Sequence, residues 1–129
     1  MPITTSAAPY GYRSELIDPI TPEERGLWVE QVRQFANLPG FYGQLIDVRR
    51  SKPNPQEIPR ILEAMEYVRS HGLLRSAVIV STATVALSIK QMAWRTGMYE
   101  WERYFDASHD ADWEQHATDW IVHRIDPDA

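Results

Sequence analysis

Along this chain, short apolar runs suited to strands alternate four times with amphipathic stretches suited to helices. Strand, helix, strand at this spacing requires crossover connections, which are right-handed and make neighbouring strands parallel. The clearest strand is residues 76–81 (SAVIVS), short, β-branched and apolar, as in a strand covered on both faces. Residues 41–48 (FYGQLIDV) have a mostly apolar body of the same kind. Residues 10–17 have weaker strand character. Residues 100–105 alternate, with Trp101, Arg103 and Phe105 on one face and Glu102 and Tyr104 on the other, as near a sheet edge. The expectation is an α/β fold, a four- to five-stranded mainly parallel sheet with helices packed on it.

The helical stretches carry their own punctuation. Thr21-Pro22-Glu23-Glu24 offers a capping hydroxyl, a proline at the first helical position and a glutamate at the third. Leu27, Trp28, Val32 and Phe35 follow at helical spacing, and Pro39-Gly40 ends the element. Asn54-Pro55-Gln56-Glu57 repeats the capping pattern ahead of a stripe of Ile58, Ile61, Leu62, Met65 and Val68, closed by Gly72. A third helix over residues 82–96 turns Val85, Ala86, Ile89 and Ala93 inward and stops at Gly97. The last begins near Asp110 and presents Trp113, Ala117, Trp120 and Ile121 to the core. Residues 1–9, small and polar, read as a flexible arm, and residues 10–125 as one domain.

Composition removes several function classes. A net charge of −5 argues against a nucleic-acid partner, whose phosphates are met by Lys and Arg. The absence of cysteine excludes disulfides, thiol nucleophiles and Cys-ligated zinc, and fits a reducing compartment. The opening MPITTSAAP lacks the basic and apolar regions of a signal peptide, and the longest mainly apolar stretch, residues 76–89, is too short for a membrane span. A cytoplasmic protein is the expectation. No serine sits in a Gly-x-Ser-x-Gly elbow, and no Walker or dinucleotide fingerprint calls for a cofactor. The chain therefore reads as a binding protein, not an enzyme.

Three features carry a family likeness: GQLIDVRR, a strand ending around Asp47; RSAVIVSTATVALSIKQMA, a strand-to-helix passage; and the downstream MYEWERYFDASHDADWEQHATDWI. From about residue 38 to 120 the chain resembles the bacterial STAS/SpoIIAA-like proteins, a fold group that includes anti-sigma-factor antagonists. The resemblance implies a SpoIIAA-like sheet with helices packed on it, and a role in protein interaction or small-ligand binding. The antagonists carry an Asp-Ser-Ser-Gly-like segment whose serine is phosphorylated at a helix N-terminus. Here Asn54-Pro55-Gln56-Glu57 stands in that place with no hydroxyl, and the nearest candidate is Ser51, beside Arg49 and Arg50.

Three groups of residues are candidates for chemistry. Arg49, Arg50, Ser51 and Lys52 follow the carboxyl end of a central strand, where open α/β sheets take ligands, and their charge suits a small anion or pairs with nearby acids. Ser81 and Thr82 stand at the next strand-to-helix junction, available to a ligand or as helix caps. Trp94 flanks the apolar stripe of its helix, where an exposed indole suits a partner surface or the mouth of an apolar pocket. A fourth pattern, Asp112, His116, Asp119 and His123, lines one helical stripe. Its Asp112/His116 pair would hold a metal only with ligands from a second element. The leading expectation is an interaction module that binds a protein partner or itself as a homodimer. The alternative is a carrier of a small apolar ligand between helices and sheet, lined by residues such as Leu87, Met92 and Trp94.

Overall fold

The computed structural model describes residues 2–52 and 55–129. The elements are β1 (Ile3–Ala8), β2 (Gly11–Ile17), α1 (Pro22–Ala36), β3 (Gly43–Arg50), α2 (Ile58–Ser70), β4 (Arg75–Val80), α3 (Ala83–Thr96), β5 (Glu102–Asp106) and α4 (Trp113–His123). The strands form one sheet in the order β1-β2-β3-β4-β5. β1 runs antiparallel to β2, and every other neighbouring pair is parallel. The fold is α/β, with a mixed, mostly parallel sheet and four helices.

The N-terminal residues depart from the sequence reading. Where a flexible arm is expected, Ile3–Ala8 pairs along its length with β2, from Ile3 opposite Leu16 to Ala8 opposite Gly11. Small polar residues suit an edge strand with few side chains to bury, so composition alone hides it.

The path from β2 to β5 steps to the adjacent strand each time. Right-handed connections then set α1, α2 and α3 on one face of the sheet, and α4 covers the other. Strand alternation sorts the core accordingly. Tyr12, Leu16 and Ile46 meet Trp28, Val32, Met65 and Val68 on the three-helix face. Leu45, Ala77, Ile79 and Phe105 meet Ala117, Trp120 and Ile121 beneath α4. A Cβ on Gly43 would stand 2.4 Å from the Ile121 side chain, so α4 seats against β3 only because that residue is glycine.

Of the four helix starts, those of α1 and α3 form the caps the sequence describes, and α4 begins at Trp113, three residues past Asp110. Thr21 Oγ1 accepts from the Glu24 N–H at 3.1 Å while the Glu24 carboxylate accepts from the Thr21 N–H at 3.0 Å, a complete capping box. Thr82 caps α3 through the Val85 N–H, and Gly97 closes it in the left-handed conformation at φ 80. For α2, Asn54 lies outside the described residues. A 3-10 turn over Pro55–Glu57 leads into the helix, and Glu57 occupies the N-cap without a side-chain hydrogen bond.

Burial corrects two side-chain assignments and locates a further pair. Leu27, expected on the core stripe of α1, is 69% exposed. Trp101 precedes β5 in a 3-10 turn and packs among the α1 and α2 residues, so it does not share a face with Arg103 and Phe105. Glu102 and Tyr104, on the more polar face of that strand, are both buried under the helices.

Candidate functional site

The three-helix face is incompletely filled. α2 packs on α1 and α3 packs on β5 and β4, yet the backbones of α2 and α3 approach no closer than 8 Å. Between them and the sheet lies a cavity of about 180 Å³. Its walls are Ile58, Ile61 and Leu62 from α2 and Val85, Ile89 and Met92 from α3. All six are only half-buried, because the neighbour each would have packed against is missing. Its floor is the sheet, through Ile46, Val48, Val78 and Tyr104.

The two ends of the cavity differ in chemistry. At the carboxyl ends of β2 and β3 it meets Arg25, Ser51 and Lys52; near the start of β5 it meets Glu102 and Met98. Arg25 is in the first turn of α1, at i−3 and i−4 from Trp28 and Val29 on the buried stripe, and is only 7% exposed. Its side chain makes no hydrogen bond or ion pair with any described residue.

Beneath the cavity a polar row crosses the sheet. Tyr12, Gln44, Ser76 and Glu102 are successive register partners on β2, β3, β4 and β5. The Tyr12 hydroxyl donates to Gln44 Oε1, and Gln44 Nε2 donates to Ser76 Oγ at 3.0 Å. Tyr104 Oη donates to Glu102 Oε1 at 2.8 Å. Burial pushes the Glu102 carboxyl above its ordinary value, and the hydrogen bonds from Tyr104 and Ser76 oppose that rise only in part. Burial likewise raises the Tyr12 and Tyr104 hydroxyls. The row is a set of buried polar groups that hydrogen-bond with one another.

The sequence candidates are scattered around this cavity. Ser51 lines it; Arg49, Arg50, Ser81, Thr82 and Trp94 do not. Arg49 follows Leu45 and Asp47 on the α4 face of β3, where it grips Asp47 through Nε and Nη2 (2.7 Å to Oδ2) and stacks 4.7 Å over the Trp113 ring. The Asp47 hydrogen bond, the largest influence, raises the Arg49 guanidinium further. Arg49 is therefore a paired cation turned away from the loop. Ser51 Oγ donates to Asp18 Oδ1 at 3.2 Å and the Lys52 N–H to Asp18 Oδ2 at 2.7 Å, so a phosphate on Ser51 would face a carboxylate. Arg50 is exposed, Ser81 is exposed beside the cap, and Thr82 is the cap itself.

Sheet topology gives that loop no crevice of its own, although its Ser51 and Lys52 line one end of the cavity. Ligands collect at the strand ends where strand order reverses and adjacent crossovers part to opposite faces, and from β2 to β5 the order never reverses. Of the carrier residues expected, Met92 lines the cavity, while Leu87 and Trp94 point outward at 54% and 55% exposure. Trp94 meets Tyr99 edge-on, at 5.7 Å between centroids.

On α4, His116 Nδ1 lies 2.6 Å from Asp110 Oδ2, and that hydrogen bond raises the imidazole above its ordinary value. Asp112 is not the hydrogen-bond partner of His116; its own N–H donates to Asp110 Oδ1, and its charge adds to the rise of the imidazole. Among the described residues no group of three or more His, Asp or Glu side chains is placed to hold a metal ion.

No family model, curated protein or solved structure matches this chain. The site therefore rests on its own geometry. Two of its residues carry signals in the sequence that are easily passed over. Arg25 is a cation in the first helical turn, where the helix dipole favours acids, and it falls on the apolar stripe. Gln44 is the polar residue inside the apolar run FYGQLIDV.

Proposed function

We propose that this chain is a non-enzymatic binding protein of SpoIIAA-like architecture that holds a small apolar ligand between α2, α3 and the sheet. The observation that carries the reading is the cavity itself, walled by half-buried aliphatic side chains from two helices that stay apart. A ligand entering between the aliphatic walls gains the contacts that they lack when the space is empty. The polar row at the floor is engaged in hydrogen bonds of its own, which fits a container for apolar matter better than a reaction centre.

Methionine methyl resonances report directly on this site. Of the four methionines, Met65, Met92 and Met98 line the cavity. With methyl-labelled methionine, saturating toluene is expected to shift these three signals and leave Met1 unmoved. Ile89→Trp, which fills the space, removes the response. Unmoved signals in the wild-type protein would overturn the reading.

A second reading, an interaction module docking a protein partner or a second copy, is favoured by one observation. Leu87 and Trp94 stand seven residues apart on the outer side of α3, both more than half exposed. It predicts a dimer in sedimentation velocity at tens of micromolar that Trp94→Ser dissociates. A wild-type monomer would remove the homodimer form of it.

A further inference from the structure

Arg25 is the group that the apolar cavity leaves unexplained. A guanidinium removed from water costs several kcal/mol unless a counter-charge and hydrogen bonds replace its hydration. Arg25 is only 7% exposed, lines the cavity and has no hydrogen-bond or ion-pair partner among the described residues, while its guanidinium nitrogens keep a little open surface. Other buried cations here are served. Arg103, equally buried, has Asp126 at 2.8 Å and lies between the rings of Tyr99 and Trp120. The one carboxyl lining the cavity, Glu102, stands near the start of β5 and is engaged by Tyr104, far from the end where β2 and β3 finish. At the end of the sheet where β2 and β3 finish, Asp18 already accepts from Ser51 and Lys52.

We propose that the cavity binds a small monocarboxylic acid with an apolar body about the size of one ring, its carboxylate held by Arg25. This deepens the ligand-binding reading above and rests on it. The planar fork of an arginine matches a carboxylate with two parallel hydrogen bonds. The Lys52 chain lining the same end adds positive charge where the acid group would sit. A single buried guanidinium balances a single negative charge, and the lining offers no glycine cradle for a phosphate dianion. Size is set by volume: an apolar cavity of about 150 Å³ accepts a benzene, and this one has about 180 Å³. The aliphatic walls take the body, and the row beneath the floor, already satisfied, asks nothing of the ligand.

The test compares phenylacetate with 2-phenylethanol, equal in body and different in charge, by calorimetric titration at pH 7 and by the methionine methyl shifts. Phenylacetate is expected to bind at least about tenfold more tightly, the margin of a charge-assisted hydrogen-bond pair over a neutral one. Arg25→Met is expected to erase that preference while keeping the affinity for 2-phenylethanol within about twofold. Equal binding of the two by the wild-type protein overturns the assignment to Arg25 and leaves the cavity reading standing. Binding of neither overturns both. The wild-type ratio decides the matter even if Arg25→Met fails to fold.

Discussion

Glu102 shows how a residue that looks like solvent-facing alternation can become an interior group. Burial raises its carboxyl above the ordinary value, and hydrogen bonds from its neighbours Tyr104 and Ser76 oppose that rise only in part. The unfolded carboxyl has the ordinary value of 4.5, and the folded one lies above it. The folded state therefore binds the proton more tightly. The stability this contributes is fully present below pH 4.5 and is lost as pH climbs through the folded value. Wild-type urea midpoints are expected to fall from pH 5 towards pH 8, and Glu102→Gln, which keeps an acceptor for Tyr104 and removes the titration, should flatten that fall. His116, raised by Asp110, acts in the same direction from 6.5 upward, so the comparison belongs in a His116→Asn background. A slope unchanged by Glu102→Gln would refute the assignment. The sequence does not disclose any of this, because the partners of Glu102 arrive from other strands. Arg25 was closer to legible: its place on an apolar stripe is a local fact, although what it lacks is not.

At the scale of elements, legibility follows locality. The start of α1 is written in four consecutive residues, Thr21 to Glu24, and the structure forms the box they describe. The end of α3 is written in Gly97. By contrast, β1 exists only because β2 is there to pair with it, and no local signal in ITTSAA announces that. The helix stripes were visible but their depth was not. Ile58, Ile61 and Leu62 repeat at helical spacing as core residues would, and they are half-buried because α3 stands off from α2. Spacing reports which side of a helix faces inward; only the neighbouring element decides whether that side meets matter or space. The cation loop after β3 divides between the two sides of the sheet, with Ser51 and Lys52 lining the cavity and Arg49 away from it. Period-two alternation sends Arg49 to the α4 face with Asp47, on the opposite side of the sheet from the cavity.

Across the whole molecule, the last residues are tied back to the sheet by charge. Arg103 donates through Nε and Nη2 to Asp126 at 2.8 and 3.0 Å, and Asp128 receives Lys90 at 3.3 Å and the Tyr99 hydroxyl at 2.6 Å. The Arg103 hydrogen bond holds the Asp126 carboxyl below its ordinary value. Asp126→Ala leaves Arg103 buried without its counter-charge and is expected to cost about 2 kcal/mol in urea denaturation, the range for a hydrogen bond to a charged group. An unchanged midpoint would mean the segment contributes nothing to stability. The row of Tyr12, Gln44, Ser76 and Glu102 has a different consequence for the assembled sheet. Apolar patterning penalises a strand that slides by one residue, since that turns every side chain over, but it tolerates a slide of two. Sliding β4 by two against β3 would set Gln44 beside Val78 or Leu74, strand Ser76 among hydrocarbon, and break the chain of hydrogen bonds in its middle. Four polar side chains, one per parallel strand, thus act as alignment pins: they make the correct pairing distinguishable from its nearest look-alike while the sheet is still being put together.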